Sequence, residues 1–554
     1  MTMIDVVSTQ CLPYPVAAKI GNVTLSNAQE ARGVAVSIGT PEQEFAFLPQ
    51  WHLNNTLVYG TNGFCIGLEV SPQTEDGCTT FRGGQYDMVA SSSRKKTDSD
   101  SHPVDGAQFP SMNFVSDNVK INENVSLDGF PIGIPLQDWA QQGYHPMMAL
   151  GMGANSTLLT ALTSSGKIAS RVWSMFHGWT GGSSRSQVDG TFVLGGYDRA
   201  KVNGRGYKMS LQQTEGCDTA MMVTITDLVL NFPNGTTASI FPNTLRNALT
   251  ACIVPDYPVL MTLPIDPHLD NFMDITNQTI TQRTFGEAYF SMVYSDDDVP
   301  YDGDMTIVIQ AGPSIRIPNH QLIVPNRVMP SDSPGWVANY SSHNLVINGI
   351  QGGNSDDVIK LGRQFLSSAY VMLNQDTSEF TLWESNPTAD VDLVAVDSSG
   401  NESTEWCEPE EIESPSGSGT PAQTNPASAE SDSGPSTGLI AGAAAGGGAA
   451  LIIIAIVSWL LIRRRHKKRA AAAAAALAPE IQYTGAPADH ISSHDGWSQG
   501  GTPANGQVPQ YAELPYQEYP RDGYFKPELQ GTTPDPHRPI QGPKDQNHGS
   551  YELA

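Results

Sequence analysis

Residues 438–462 read GLIAGAAAGGGAALIIIAIVSWLLI, 25 positions without a charged side chain, and RRRHKKR follows at once. A helix advances about 1.5 Å per residue, so about 20 apolar residues cross the hydrocarbon core of a bilayer. Basic residues that flank a span stay on the cytoplasmic side. The pattern predicts a single transmembrane helix at 438–462, with residues 1–437 outside the cell or in a lumen and residues 463–554 in the cytoplasm. A plasma-membrane or endomembrane protein is implied. A buried core helix would not explain an uncharged run that ends on so dense a basic cluster.

The charge is divided along the same line. The chain carries 57 acidic and 30 basic side chains, a formal net charge of −27; residues 463–554 hold 10 of each, so 47 acidic against 20 basic side chains precede them. Nucleic acid phosphates require a positive surface, and so acidic a first part excludes nucleic acid as a partner.

Eight Asn-x-Ser/Thr sequons, at Asn22, Asn54, Asn124, Asn155, Asn234, Asn277, Asn339 and Asn401, all precede the span. This one-sided distribution predicts a glycosylated ectodomain. The six cysteines also precede it, and an even count in a secretory context predicts disulfides, with 15 possible connectivities. Local spacing favours Cys65 with Cys78 and Cys217 with Cys252, leaving Cys11 for Cys407. The first residues, MTMIDVVSTQCLPYPVAAKIG, contain no apolar stretch of signal-peptide type. Export then rests on a leading segment outside this sequence, the reading favoured here, or on the internal span itself.

Between about residues 30 and 395, short apolar alternations are broken by Gly, Pro, Asn and Asp, as in GVAVSIGTP, VTITDLVLNFPNG and DMTIVIQAG. This predicts a mostly β fold. Val34, Val36 and Ile38 would share one face, as would Leu228, Leu230 and Phe232 before the turn PNG. STLLTALTSSGKIA is the best helix candidate, capped by Ser156 or Thr157 and ended by Gly166. Residues 396–437 are Ser, Pro, Gly, Thr and Glu with few apolar side chains, and predict a disordered stalk; the Pro-, Gly- and Gln-rich tail predicts disorder too. In that tail, YAEL at Tyr511 to Leu514 resembles a tyrosine-based sorting signal and implies cytoplasmic sorting or signalling partners.

VAVSIGTPEQEFAF resembles the strand, Gly-Thr-Pro turn and strand that lead into the first active-site loop of the pepsin-like aspartic proteinases. MALGMGANSTLLTALTSSGKIASRVWSMF, GTFVLGGYDRAKVNG and VIKLGRQFLSSAYVMLNQDTSEFTLW are similar to later family segments, in the family's order. In the last of these Leu361 and Gly362 match, while Arg363 replaces the usual acidic residue. The resemblance covers roughly residues 30–385 and implies a two-lobed pepsin-like fold: residues 1–29 an N-terminal segment, 30–215 the N-terminal lobe, 216–395 the C-terminal lobe. It calls for no cofactor.

The family's chemistry needs two carboxylates, one per lobe, that share a proton and activate a water. Each stands in an Asp-Thr/Ser-Gly turn. Ungapped alignment puts Gln50, Trp51 and His52 on the first turn. On the second it puts Pro255, Asp256 and Tyr257. Glutamine cannot ionise. Asp256, one residue out of register, would point to the opposite face if the strand continued through it. AQFPSMNFVSDNVKI lacks the tyrosine of the family's substrate-covering hairpin. These three departures imply a catalytically inactive member, with no catalytic residue at either aspartate position. Its ectodomain would serve ligand or peptide binding, sensing or adhesion toward an extracellular peptide, protein or glycan; the style of the chain resembles fungal cell-surface proteins. The alternatives are an active membrane-bound aspartic endopeptidase working at acid pH and a structural spacer of the cell wall.

The remaining motifs carry less chemistry. SDDDVPYDGDM holds Asp296, Asp297, Asp298, Asp302 and Asp304, but its spacing is not that of an EF-hand, and a solvated acidic loop is expected. No HExxH-type spacing supports zinc, and no Gly-x-Ser-x-Gly elbow supports a serine hydrolase. No metal site is expected.

Overall fold

The computed structural model describes residues 11–61, 74–97, 112–135, 148–180, 187–241, 248–280, 282–295, 298–354 and 356–407. They belong to one compact unit, Met1–Glu410. The expected stalk beyond residue 407, membrane span and tail, with Tyr511 and Leu514, lie outside the described residues. Among the described residues no helix is long and apolar enough to cross a membrane.

The fold is mostly β. The first half contains β1 (Val16–Thr24), β2 (Glu30–Ile38), β3 (Gln43–Gln50), helix α1 (Glu75–Arg82), β4 (Lys95–Lys96), β5 (Met112–Asn122), β6 (Val125–Pro135), β7 (Met148–Gly151), helix α2 (Thr157–Ser164), β8 (Val172–Trp179), β9 (Val188–Leu194), β10 (Gly196–Asp198) and β11 (Val202–Ser210). The second half follows with β12 (Met222–Asn231), β13 (Thr237–Ser239), β14 (Leu249–Ile253), β15 (Met261–Pro264), helix α3 (Asp270–Thr276), β16 (Gln282–Arg283), β17 (Met292–Val293), β18 (Asp304–Ile309) and β19 (Ser314–Ile317). It closes with α4 (Asn319–Leu322), β20 (Ile323–Val328), β21 (Val337–Leu345), β22 (Ile347–Ile350), β23 (Ile359–Leu361), β24 (Ala369–Asn374), β25 (Glu379–Ser385), β26 (Leu393–Val396) and β27 (Glu402–Ser403).

A 12-stranded sheet runs β11-β25-β24-β8-β9-β1-β2-β3-β7, with β5 attached to β2, β4 and β6. Its six strands from β11 to β1 take three from each side of an antiparallel seam between β8 and β24, where Met175 faces Val371 and Trp173 faces Leu373. An 8-stranded sheet in the second half contains β12, β14, β15 and β23. Each half repeats one device. β3 runs parallel to β7, with Gln50 opposite Gly151, and β14 runs parallel to β23, with Ile253 opposite Leu361.

Val34, Val36 and Ile38 are buried as expected, as are Leu228 and Leu230, while Phe232 lies one residue past β12 and is half-buried; the PNG turn closes the hairpin between β12 and β13 with Gly235 at φ 85°. Helix α2 starts at Ser156, whose Oγ accepts from Leu159 N (3.2 Å) and donates to Gly151 O.

Both ends of the folded part lie beyond the expected boundaries. Residues 16–24, assigned to an N-terminal segment, form β1 in the main sheet, with Val16, Ala18 and Ile20 buried. Residues 396–407, assigned to the stalk, are folded: β26 pairs with β10, β27 pairs with β26, and Trp406 packs on Tyr14 at 4.8 Å. The Cys11–Cys407 disulfide ties these two ends together, which explains why a polar composition did not prevent ordering. Cys217–Cys252 is also formed. Cys78, on α1, is disulfide-bonded, while Cys65 lies outside the described residues.

The Ser156→Ala variant loses both the cap and the buried hydroxyl bond to Gly151. Chemical denaturation should show a loss of about 1–2 kcal/mol relative to the wild-type chain.

Candidate functional site

The two loops that follow β3 and β14 are positioned by close backbone approach. Gly151, at the end of β7, lies so near Asn54 and Asn55 that a Cβ could not fit; Gly362, after β23, lies equally close to Tyr257 and Val259. Only glycine permits these contacts. Met152 N donates to Gln50 O (2.9 Å) and Gly153 N to Leu53 O (2.8 Å) in the first loop; Arg363 N donates to Tyr257 O (2.8 Å) in the second.

The residues expected at the catalytic positions are sealed inside. Gln50 has 0% exposure, and neither its amide oxygen nor its amide nitrogen has a hydrogen-bond partner. Trp51, buried as well, packs its ring 4.2 Å from that of Trp173 on β8, while His52 is half-buried. On the other side β14 ends at Ile253, so Pro255, Asp256 and Tyr257 lie in a turn. The strand-face argument for Asp256 is therefore corrected: its direction follows from the turn, and its side chain is buried, 2% exposed. Its carboxylate acts on the charge of Arg363. Tyr257 Oη accepts from Asn348 Nδ2 (2.9 Å), and Lys360 lies 5.1 Å over its ring.

Two other buried aspartates are held by partners of their own. Asp117 accepts from Tyr86 Oη (2.6 Å), Ser93 Oγ (2.6 Å) and Asn118 N (2.8 Å). Burial pushes its pKa up, but the Ser91, Ser93 and Tyr86 hydroxyls together outweigh it and leave the carboxyl below its ordinary range. Asp198 Oδ1 accepts from Ala200 N (3.1 Å) and Asp392 N (2.8 Å), and burial holds this carboxyl above its ordinary range.

Of the sequon asparagines, Asn22, Asn124, Asn155, Asn234, Asn277, Asn339 and Asn401 are exposed. Asn54 is half-buried in the first loop, where its Oδ1 accepts from Asn155 N (2.9 Å) and its carbonyl from Thr157 N (2.9 Å). Asp304 of the acidic loop pairs with Arg316 (2.8 Å) and accepts from Asn319 N; Asp296 and Asp297 lie outside the described residues.

A buried cation that spacing could not reveal is Arg32. Arg32 on β2 donates to the carbonyls of His177 (3.0 Å) and Val188 (3.2 Å). Burial, followed by the charges of Arg32 and Arg363, holds His177 well below its ordinary pKa. Arg363 was legible only as a departure from an expected acid. Beside it the halves also join through Trp179 Nε1 to Ser367 O (3.0 Å) and Thr180 N to Gln321 Oε1 (3.1 Å).

Compared with known proteins, the chain matches no family model and no curated protein.

A buried amide with no partner costs the folded state its desolvation. Gln50→Leu should therefore raise stability by about 1 kcal/mol in chemical denaturation; a loss of similar size would mean that the amide is satisfied in solution.

Proposed function

We propose that this chain is a single-pass membrane glycoprotein whose ectodomain has a pepsin-like, two-lobed framework without the catalytic pair, and which acts by binding an extracellular peptide, protein or glycan. The observation that carries this reading is the repeated parallel-strand device, β3 with β7 and β14 with β23, whose two loops hold Gln50 and Pro255 where a proteinase of this kind needs two facing carboxylates. The amide of Gln50 can neither accept the proton of an attacking water nor share one with a partner. Asp256 is a single carboxylate in the field of the Arg363 cation. Main-chain pairing and side-chain pockets, by contrast, can hold an extended ligand without any catalytic acid.

The seven exposed sequon asparagines and the formed disulfides support an ectodomain made in the secretory pathway. The uncharged run 438–462 would anchor it, and the tail around Tyr511 and Leu514 would meet cytoplasmic sorting or signalling proteins.

The full chain, incubated with unstructured peptides from pH 3 to 7, should show no cleavage above background, and Gln50→Ala should not differ. A positioned acid or base contributes about 10²- to 10⁴-fold in rate, so genuine turnover would be plain. Cleavage that Gln50→Ala abolishes would return the chain to the enzymes.

A further inference from the structure

Arg94, Lys95 and Lys96 are the only adjacent basic residues before residue 463, in a part of the chain where acidic side chains far outnumber basic ones. The fold puts them within reach of a second protein. Lys95 and Lys96 form β4, which lies against β5 with Lys95 opposite Ser116 and Lys96 opposite Val115. β4 pairs with no other strand among the described residues, so its second edge is open. Successive side chains of a strand point to opposite faces. Both lysines are exposed, so neither face of β4 is covered there. The flanks are fastened: Ser92 N donates to Thr40 O (2.8 Å), Ser93 Oγ to Asp117 Oδ1 (2.6 Å), and Thr97 N to Phe114 O (3.2 Å).

An extended segment with an open edge is bound by strand addition, in which main-chain pairing gives affinity and separate pockets take the side chains. Two adjoining lysines then call for two adjoining pockets lined by carboxylates. Edge lysines also deter edge-to-edge pairing, but that role asks for no second and third basic residue beside the first. The ladder that has to yield to an incoming enzyme is only two residues long, and such short exposed pairings open locally. A cut behind Lys96 leaves the fold joined. Across it β1 pairs with β9, β2 with β5 and β3 with β7, and Cys11 on the first piece is bonded to Cys407 on the second.

We infer that Arg94, Lys95 and Lys96 form a recognition site for an endoprotease specific for paired basic residues, which hydrolyses the Lys96–Thr97 bond and leaves a two-chain molecule held by the Cys11–Cys407 disulfide. In that step water supplies the oxygen that bonds to the Lys96 carbonyl carbon, the C–N bond breaks, and a proton passes to the Thr97 nitrogen. Lys96 ends as a carboxylate and Thr97 as an amine. The inference stands on the exposure and pairing of β4 and does not depend on the binding function proposed above.

Limited digestion of the folded full chain, in detergent, with a serine endoprotease of paired-basic specificity tests it. Reducing electrophoresis should separate two pieces, the second with a new N-terminus reading Thr-Asp-Ser-Asp, a sequence that sets this cut apart from cleavage within RRRHKKR. Without reductant the same two pieces should run as one. Lys96→Gln should slow the cut about tenfold or more, as expected when a charge is removed from a charged pocket, and Lys96→Arg, which keeps the basic pair, should restore it. Lys95→Gln should slow it as well. Each variant should unfold at the wild-type midpoint, since both positions are exposed. A folded chain that resists at this bond while the reduced and denatured chain is cut there, a Lys96→Gln variant cut as fast as the wild type, or pieces that separate without reductant would overturn the inference.

Discussion

Four residue pairs between β8 and β24, from Met175–Val371 to Val172–Asn374, and six more between β11 and β25 hold the two halves of the fold in one sheet. Much else is arranged around this seam. Trp173, on β8, is the platform on which Trp51 packs, so the first loop takes its place from the seam strand. Ser174 shares a 2.8 Å hydrogen bond with Tyr370 Oη, which in turn accepts from Asp198 N, tying the seam to β10. The chain then returns through β26 onto β10, and the Cys11–Cys407 bridge draws in both ends of the folded part. A cross-link spanning 396 residues restricts the unfolded chain far more than a local one.

The framework and the chemistry of the two loops are separable. Strand pairing and the close approach of Gly151 and Gly362 use backbone atoms only. Neither needs a carboxylate. Burying Gln50 behind Trp51 costs an unsatisfied amide but also removes a large aromatic surface from water, and the second effect is the larger at about 25 cal/mol per Å². A fold hosts function through its sites, so strand pairing alone does not fix what the two loops do.

Local chemistry was legible in the sequence. Period-two alternation located the strands around Val34 and Leu228, and a serine before a Leu-rich run located the cap of α2. Cysteine spacing anticipated the Cys217–Cys252 and Cys11–Cys407 pairs. What failed was long-range. Val16, Ala18 and Ile20 alternate correctly, yet they are interrupted by Lys19 and Gly21, and only pairing with β9 and β2 makes them a strand. Residues 396–407 look like stalk by composition but are held by β26 and a disulfide. Asp256 was placed by strand alternation although β14 had already ended. Arg32 and His177 are distant in sequence and meet through the strand order β2-β1-β9-β8, so no motif could announce their contact.

The central claim is that the two aspartate positions of a pepsin-like framework are occupied and closed. Calorimetric titration of the full chain at pH 4 with a statine-type peptide, whose hydroxyl mimics the water held between two carboxylates, tests it most directly. The account predicts no saturable heat, because Gln50 and Pro255 offer that hydroxyl no carboxylate pair. Stoichiometric binding in the micromolar range or tighter would contradict it and would place a working dyad in a cleft between the halves.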